Sequence, residues 1–308
     1  MNRVGVCIWC REEKTLTEEH VIPDNIGGTM TAYCACRSCN NDVNNLVEQR
    51  ATCDVLFTMP RYVYGIKGRR GVPRNPFAGK GRLKSGEPML LTDDFRPIVL
   101  PRIEAEETDR GTVLKLSLDM SQMDKSKRIA YREVKKILLN KYPDLTPSDL
   151  EVKIEEALQT TTMVENTRSG ESIIRKFQSN MHNIMLLFLK IAYEIASLEY
   201  GAEYVESSVI ACRLREGILS RSIPDDLIGD IDSEPLEKLM SDAEKHYYIL
   251  IEDKCLIKLF GLQFVVQVTD GSKFRVPVQC AELVTITPSK GKPVKTNLVH
   301  NFVDEVIK

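Results

Sequence analysis

Four cysteines near the start of the chain have the spacing of a zinc site. Cys7 and Cys10 form one Cys-x-x-Cys pair, and Cys36 and Cys39 form a second. Each pair supplies two thiolates from a tight turn, so two pairs complete the tetrahedron that zinc prefers. Cys34 offers a competing Cys-x-Cys pair with Cys36, but the two-residue spacing favours Cys39. A segment this short buries little apolar surface. We therefore expect the metal to supply folding energy.

The other cysteines argue against a disulfide framework. The chain has nine cysteines, an odd number, and those outside the predicted zinc site are scattered at positions 34, 53, 212, 255 and 280. We expect no signal peptide before Cys7 and therefore a reducing, cytoplasmic location, in which both free thiols and zinc thiolates persist.

The residues between the two cysteine pairs add a second motif. Glu19–Pro23 reads Glu-His-Val-Ile-Pro, Gly27 and Gly28 follow, and Asn40 comes directly after the last cysteine. In this order, roughly residues 5 to 50 resemble the HNH endonucleases, the zinc-stabilised branch of the ββα-metal nucleases. The resemblance implies a β-hairpin whose first strand ends at the Glu-His pair, followed by a helix that begins near Cys39.

The resemblance also implies roles for three side chains. Glu19 and Asn40 would coordinate one divalent cation through oxygen atoms, which favour Mg²⁺ or Mn²⁺, whereas the sulfur ligands favour zinc. His20 would act as general base on the attacking water, because imidazole is the side chain best suited to exchange a proton near neutral pH. The implied catalytic residues are therefore His20, Glu19 and Asn40.

The segment departs from the family pattern at three positions. Thr31 falls where the family usually has a middle Asn that orients the His, and its hydroxyl is shorter than an amide. Asn40 stands where the family's final His is usual, and its amide oxygen is a suitable Mg²⁺ ligand. Glu19 replaces the commoner Asp and reaches one methylene further. The base and both metal ligands are retained.

Charge is distributed unevenly along the chain, although the net charge is only −2. Residues 51–84 carry eight basic residues and one acidic residue, a local excess of +7. A flexible basic loop beside a nuclease finger would track phosphates without sequence preference. A solvated linker is the alternative interpretation. The candidate nucleic-acid contacts are Lys67, Arg69, Arg70, Arg74, Lys80 and Arg82.

The remaining pattern predicts an α+β protein of more than one domain. We expect the nuclease finger at residues 1–50, a helical and basic linker at 51–88, and a mixed α/β recognition or sensor domain at 89–308. Apolar residues at helical spacing predict a buried central helix over 172–200, closed by Gly201. A β-meander should occupy 247–268, and Asp270 with Gly271 should turn the chain into a further strand at 274–278. The longest apolar run, 184–189, is too short to span a bilayer.

Two classes of function fit these features. The first is a metal-dependent DNA endonuclease acting on double-stranded DNA, in bacterial restriction or anti-phage defence, as a homo-oligomer or as one subunit of a defence system. The second is a non-catalytic zinc finger that binds nucleic acid or a protein partner. Retention of Glu19, His20 and Asn40 favours the first, because a purely structural finger does not need them. A homing or recombination nuclease would be expected to carry repeated DNA-binding elements, and we see none.

Overall fold

The computed structural model describes residues 3–68, 71, 73–109, 111–117, 119, 121, 123–144, 146–159, 172–230 and 233–302. Within these residues the chain is a mixture of helix and sheet, as predicted, and it divides into two compact units. One consists of Met1–Arg74 with Gln178–Lys308, and the other is Asn75–Phe177. These limits do not follow the predicted division at 50 and 88, because the N-terminal segment shares one hydrophobic core with the C-terminal segment.

The N-terminal segment folds as a small sheet followed by a helix. Three antiparallel strands lie in the order β1-β2-β3: β1 (Arg3–Val6), β2 (Glu13–His20) and β3 (Thr31–Cys36). Helix α1 (Arg37–Val43) begins directly after β3, two residues before Cys39. The predicted arrangement of a strand that ends at the Glu-His pair, a returning strand and a helix is therefore confirmed.

The helix widens after its second turn. Asn44–Glu48 is π-helical, and α2 (Gln49–Thr52) continues it. A π turn holds one more residue than an α turn, and such turns are frequent at functional sites. Here both Val47 and Glu48 are buried. Helix α3 (Val55–Val63) follows, with Asp54 as its N-cap.

The unit Asn75–Phe177 contains two sheets and a helix pair. Its four-stranded sheet has the order β6-β5-β4-β9, a separate hairpin pairs β7 with β8, and α4 packs on α5 through Val134, Leu150 and Ile154. The elements are β4 (Gly79–Leu83), β5 (Pro88–Leu91), β6 (Pro97–Val99), β7 (Arg102–Thr108), β8 (Gly111–Ser117), α4 (Met123–Lys141), α5 (Pro147–Gln159) and β9 (Ile173–Ile174).

The C-terminal segment surrounds one long helix, α6 (Met181–Tyr200), as predicted. This helix is long and apolar enough to cross a membrane by length and composition, but most of it is buried inside the protein, as in the core helix of a globular unit. The helix begins at Met181, nine residues after the predicted start, and the Asn180 side chain caps it there. It ends at Gly201, whose φ is 76°.

A six-stranded antiparallel sheet packs against α6 in the order β10-β13-β12-β11-β14-β15. Its central strands form the predicted meander. The elements of this segment are α7 (Ala202–Ser207), α8 (Val209–Ser220), β10 (Ile228–Gly229), α9 (Glu234–Leu239), β11 (His246–Ile251), β12 (Lys254–Leu259), β13 (Leu262–Gln267), β14 (Glu282–Ile286), β15 (Val294–Asn297) and α10 (Leu298–Phe302).

The strand predicted at 274–278 is wrong. Val276 makes only an isolated bridge with Glu252, and a short 3-10 helix, Val278–Cys280, follows. Pro277 lies between them and lacks the N–H group that a strand ladder needs, so regular pairing cannot continue there.

Candidate functional site

The four predicted zinc ligands converge. The sulfur atoms of Cys7, Cys10, Cys36 and Cys39 all lie within 4.8 Å of one another. A tetrahedral zinc with bonds of about 2.3 Å separates its sulfurs by about 3.8 Å, so the cluster fits the ion. The backbone N–H of Cys36 donates to Sγ of Cys7 over 3.3 Å, which ties the two pairs together. Cys34 is buried and lies outside the cluster.

One ligand thiol is prepared to ionise. Burial opposes the charged form of Cys36, but a hydrogen bond with Ser38 and hydrogen bonds from Cys39 outweigh it and lower the pKa of Cys36 to about 6. The distance from Sγ of Cys36 to Oγ of Ser38 is 3.3 Å. Since zinc binds thiolates rather than thiols, a low pKa favours metal binding at neutral pH.

His20, the last residue of β2, is fixed by a backbone carbonyl. Its Nδ1 lies 3.2 Å from the carbonyl oxygen of Gly28. A carbonyl can only accept, so Nδ1 must carry a proton, and in the neutral ring Nε2 then holds the lone pair. Thr31 pairs with His20 across the two strands, but the Gly28 backbone holds the imidazole.

The loop that presents this carbonyl is tightly built. Gly27 has a φ of 90°, a left-handed conformation that favours glycine, and its N–H donates to Asp24 O. A Cβ on Gly28 would lie 1.8 Å from the carbonyl oxygen of Ile22, so no side chain fits there. The Gly-Gly pair in the sequence therefore has a steric reason at both positions.

Asn40, in the first turns of α1, reaches back to β2. Its Nδ2 donates to Oγ1 of Thr17 over 3.2 Å and to the carbonyl of Glu18 over 3.4 Å. Thr17 in turn donates to the carbonyl of Ala35 on β3. These bonds orient the amide, and no hydrogen bond to its Oδ1 is present among the described residues.

Glu19 points into the core. Only 7% of its surface is exposed, and its Oε1 lies 2.9 Å from Nζ of Lys190 on α6. Burial raises the pKa of Glu19 and the Glu48 carboxylate adds to that rise, while the charge of Lys190 opposes it.

The structure therefore brings the predicted site residues together only in part. The four cysteines form one cluster, and Asn40 contacts the strand that carries Glu19 and His20. Glu19 and His20 are successive strand residues whose side chains engage different groups, Lys190 and the Gly28 carbonyl.

The C-terminal segment holds this region from several directions. Nε2 of His246 lies 2.8 Å from the carbonyl of Ile26, and the N–H of Ser289 donates to the carbonyl of Gly27 over 2.9 Å. At the first cysteine pair, the Tyr193 hydroxyl donates to Ile8 O, and Arg215 donates to Trp9 O. These contacts fix both the loop and the zinc knuckle.

The comparison with protein families agrees with this geometry. Residues 7–56 match the family model of the HNH endonucleases. The matched HNH segment contains all four cysteines, Glu19, His20 and Asn40, and it extends through the π-helical turn to the start of α3. The predicted resemblance to the HNH endonucleases is confirmed for this segment. No curated protein and no solved structure matches the chain.

The basic residues predicted to lie in one flexible loop are divided between a connection and a strand. Lys67 and Arg74 are exposed in a connection after α3, whereas Lys80 and Arg82 are exposed on strand β4 rather than in a loop. Arg69 and Arg70 lie outside the described residues.

Two groups at the site were missed in the sequence. The Gly28 carbonyl belongs to the backbone and has no signature beyond the glycine pair. Lys190 had a signal, since a charged residue directly follows the apolar run 184–189 of a helix predicted to be buried. Buried lysines are rare unless paired, so that position indicated a partner elsewhere in the fold.

Proposed function

We propose that the protein is an endonuclease that hydrolyses phosphodiester bonds of double-stranded DNA and depends on a divalent metal ion. The bond between His20 Nδ1 and the Gly28 carbonyl supports this most directly. It fixes the tautomer in which Nε2 accepts a proton, the arrangement that a general base requires. A purely structural zinc finger has no need of it.

His20 would accept the proton of the attacking water at Nε2, while its Nδ1–H continues to donate a hydrogen bond to the Gly28 carbonyl. Rotation of the ring about χ2 would break that bond, so the ring is held ready for the proton transfer. The tight contact of Gly28 with Ile22 O keeps the carbonyl in place while the base works.

Glu19 and Asn40 are the residues that would hold Mg²⁺ or Mn²⁺. A carboxylate and an amide oxygen are the donors these ions prefer, and Asn40 uses its Nδ2 for hydrogen bonds while presenting Oδ1 as an acceptor. A carboxylate has about four lone-pair positions, so the bond from Lys190 does not exhaust Glu19. When bound, such an ion stabilises negative charge on the phosphate and the leaving oxygen.

A nicking assay tests this function. Purified protein is incubated with supercoiled plasmid and Mg²⁺ or Mn²⁺, with EDTA as a blank. His20→Ala should lower the nicking rate by about 10²- to 10⁴-fold, the usual contribution of a general base. His300→Ala removes an exposed histidine on α10 and serves as the matched control. Equal rates for wild type and His20→Ala would reject the proposal.

We also propose bacterial restriction or anti-phage defence as the setting. The support is the joining of an HNH segment to a larger fold with which it shares one hydrophobic core, which suits a nuclease controlled by a second element. Plaque counts on cells carrying wild type or His20→Ala test it, and equal counts would exclude a defence role that depends on cleavage.

A further inference from the structure

Resting on the proposed function, we infer that Lys190 is a positioning residue of the nuclease site, supplied by the core helix of the C-terminal segment. It lies 171 residues after Glu19 in the chain and outside the HNH segment at 7–56. The catalytic strand would thus depend on a residue that the family match does not contain.

Lys190 binds three consecutive residues, the last two of β2 and the residue that follows it. Its Nζ lies 2.9 Å from Glu19 Oε1, 3.0 Å from the carbonyl of His20 and 3.3 Å from the carbonyl of Val21. The side chain is completely buried, so water cannot replace these contacts. A single ammonium therefore fixes the side chain of one predicted metal ligand and the backbone of the predicted base.

Two more carboxylates form close ion pairs with the same ammonium. Glu48, from the π-helical turn, lies 2.7 Å from Nζ, and Glu194, one turn further along α6, lies 2.8 Å away. The π turn thus has a use here, because it carries Glu48 on the buried side of the helix. Three elements, β2, the π-helical turn and α6, meet at one nitrogen atom.

Stability alone is a poor reason for such a cluster. Removing charges from water is costly, and replacing a whole buried ionic group by neutral residues of similar size is often neutral or stabilising. What the cluster does provide is a fixed position for Glu19 and for the backbone of His20. The Gly28 carbonyl orients the His20 ring, and Lys190 anchors the His20 backbone. Displacement of either would move Nε2 relative to its target.

A pair of variants isolates the lysine. In the double variant Glu48→Gln/Glu194→Gln, Lys190 keeps Glu19 as its only carboxylate partner within the described residues. The triple variant adds Lys190→Met, a neutral side chain of similar length. The two proteins differ at one position, and neither leaves several carboxylates unbalanced around an absent lysine. In the described part of the chain, Glu48 and Glu194 have no hydrogen bond or ion pair with His20, so we expect the double variant to cleave within about threefold of wild type.

We expect the triple variant to bind the normal amount of zinc, to fold, and to lose about 10- to 100-fold in kcat with little change in KM, as when a supporting group around a site is removed. A second readout does not need cleavage. The imidazole ¹⁵N resonances of His20 should show the Nε2-unprotonated tautomer in wild type and in the double variant, and a mixture of tautomers in the triple variant.

The outcomes separate the two proposals. If the double and triple variants cleave equally and share one His20 spectrum, Lys190 has no positioning role, even though wild type is a nuclease. If wild type and His20→Ala do not differ in cleavage, the proposed function fails, and the His20 spectra alone decide whether Lys190 orients that ring. If the folded double variant loses as much kcat as the triple variant, the effect belongs to the carboxylates, and the inference is overturned.

Discussion

His246, on the first long strand of the C-terminal sheet, lies 2.8 Å from the carbonyl oxygen of Ile26, two residues before the carbonyl that holds His20. His246 and Ile26 are 220 positions apart in the chain. Since a carbonyl only accepts, Nε2 of His246 donates, and the C-terminal sheet thereby anchors the loop of the nuclease segment.

The complete burial of His246 predicts an acid sensitivity. Burial lowers the pKa of His246 to about 4 from the usual 6.5, so the folded protein keeps the ring neutral. As the pH falls below 6.5, the unfolded chain binds a proton that the folded chain refuses, and the free energy of unfolding decreases. Between pH 7 and 5 the loss should be about 2 kcal/mol, measured by urea unfolding.

His246→Gln is the variant that isolates this effect, because an amide does not titrate in this range. Its stability should fall less steeply with acid than that of wild type, while the exposed control His300→Gln should retain the wild-type slope. Parallel curves for wild type and His246→Gln would show that the pH dependence arises elsewhere.

Gly28→Ala should impair the function of His20 without changing that residue. The added methyl group would meet the carbonyl oxygen of Ile22 at 1.8 Å, and backbone cannot yield as a flexible side chain does. We expect a loss of about 1–3 kcal/mol in stability, typical of overpacking, and at least a tenfold lower nicking rate. Gly229→Ala is the control, because nothing lies within 4 Å of a Cβ there. Unchanged nicking by Gly28→Ala would mean that its carbonyl is not needed.

Zinc content should depend on Cys36 and not on Cys34. Wild type and Cys34→Ala should each retain about one zinc per chain after gel filtration, whereas Cys36→Ser should lose it, since a serine hydroxyl is a poor zinc ligand. Elemental analysis measures the ratio. Equal loss in both variants would mean that the cluster is general packing rather than a defined ligand set.

The exposed basic residues should set the salt dependence of DNA binding. Replacing Lys67, Lys80 and Arg82 by Ala should lower the slope of log affinity against log salt by about 0.9 for each phosphate that is no longer neutralised. Fluorescence anisotropy with a duplex at several salt concentrations gives the slope. Replacing the exposed lysines Lys238, Lys254 and Lys295 changes the net charge equally and should leave the slope unaltered.

The cysteine cluster could be predicted because its cause is local: a Cys-x-x-Cys turn brings two sulfurs together whatever follows it. The strand that ends at the Glu-His pair was implied by the resemblance to the HNH endonucleases, and the structure contains it. The apolar run of α6 also identified a buried helix before any partner was known. The prediction of a strand at 274–278 is wrong because Pro277 ends the pairing that the hairpin signal at Asp270 predicts.

The sequence by itself determined an HNH segment with four cysteines spaced for a zinc site and the identity of its candidate base, because those features depend on residue type and short spacing. Only the tertiary structure decided where Glu19 points, which carbonyl holds His20, and which residue neutralises the buried carboxylate. A buried charge must find its partner wherever the fold brings one within about 3 Å, and for Glu19 that partner is Lys190, on a helix far along the chain.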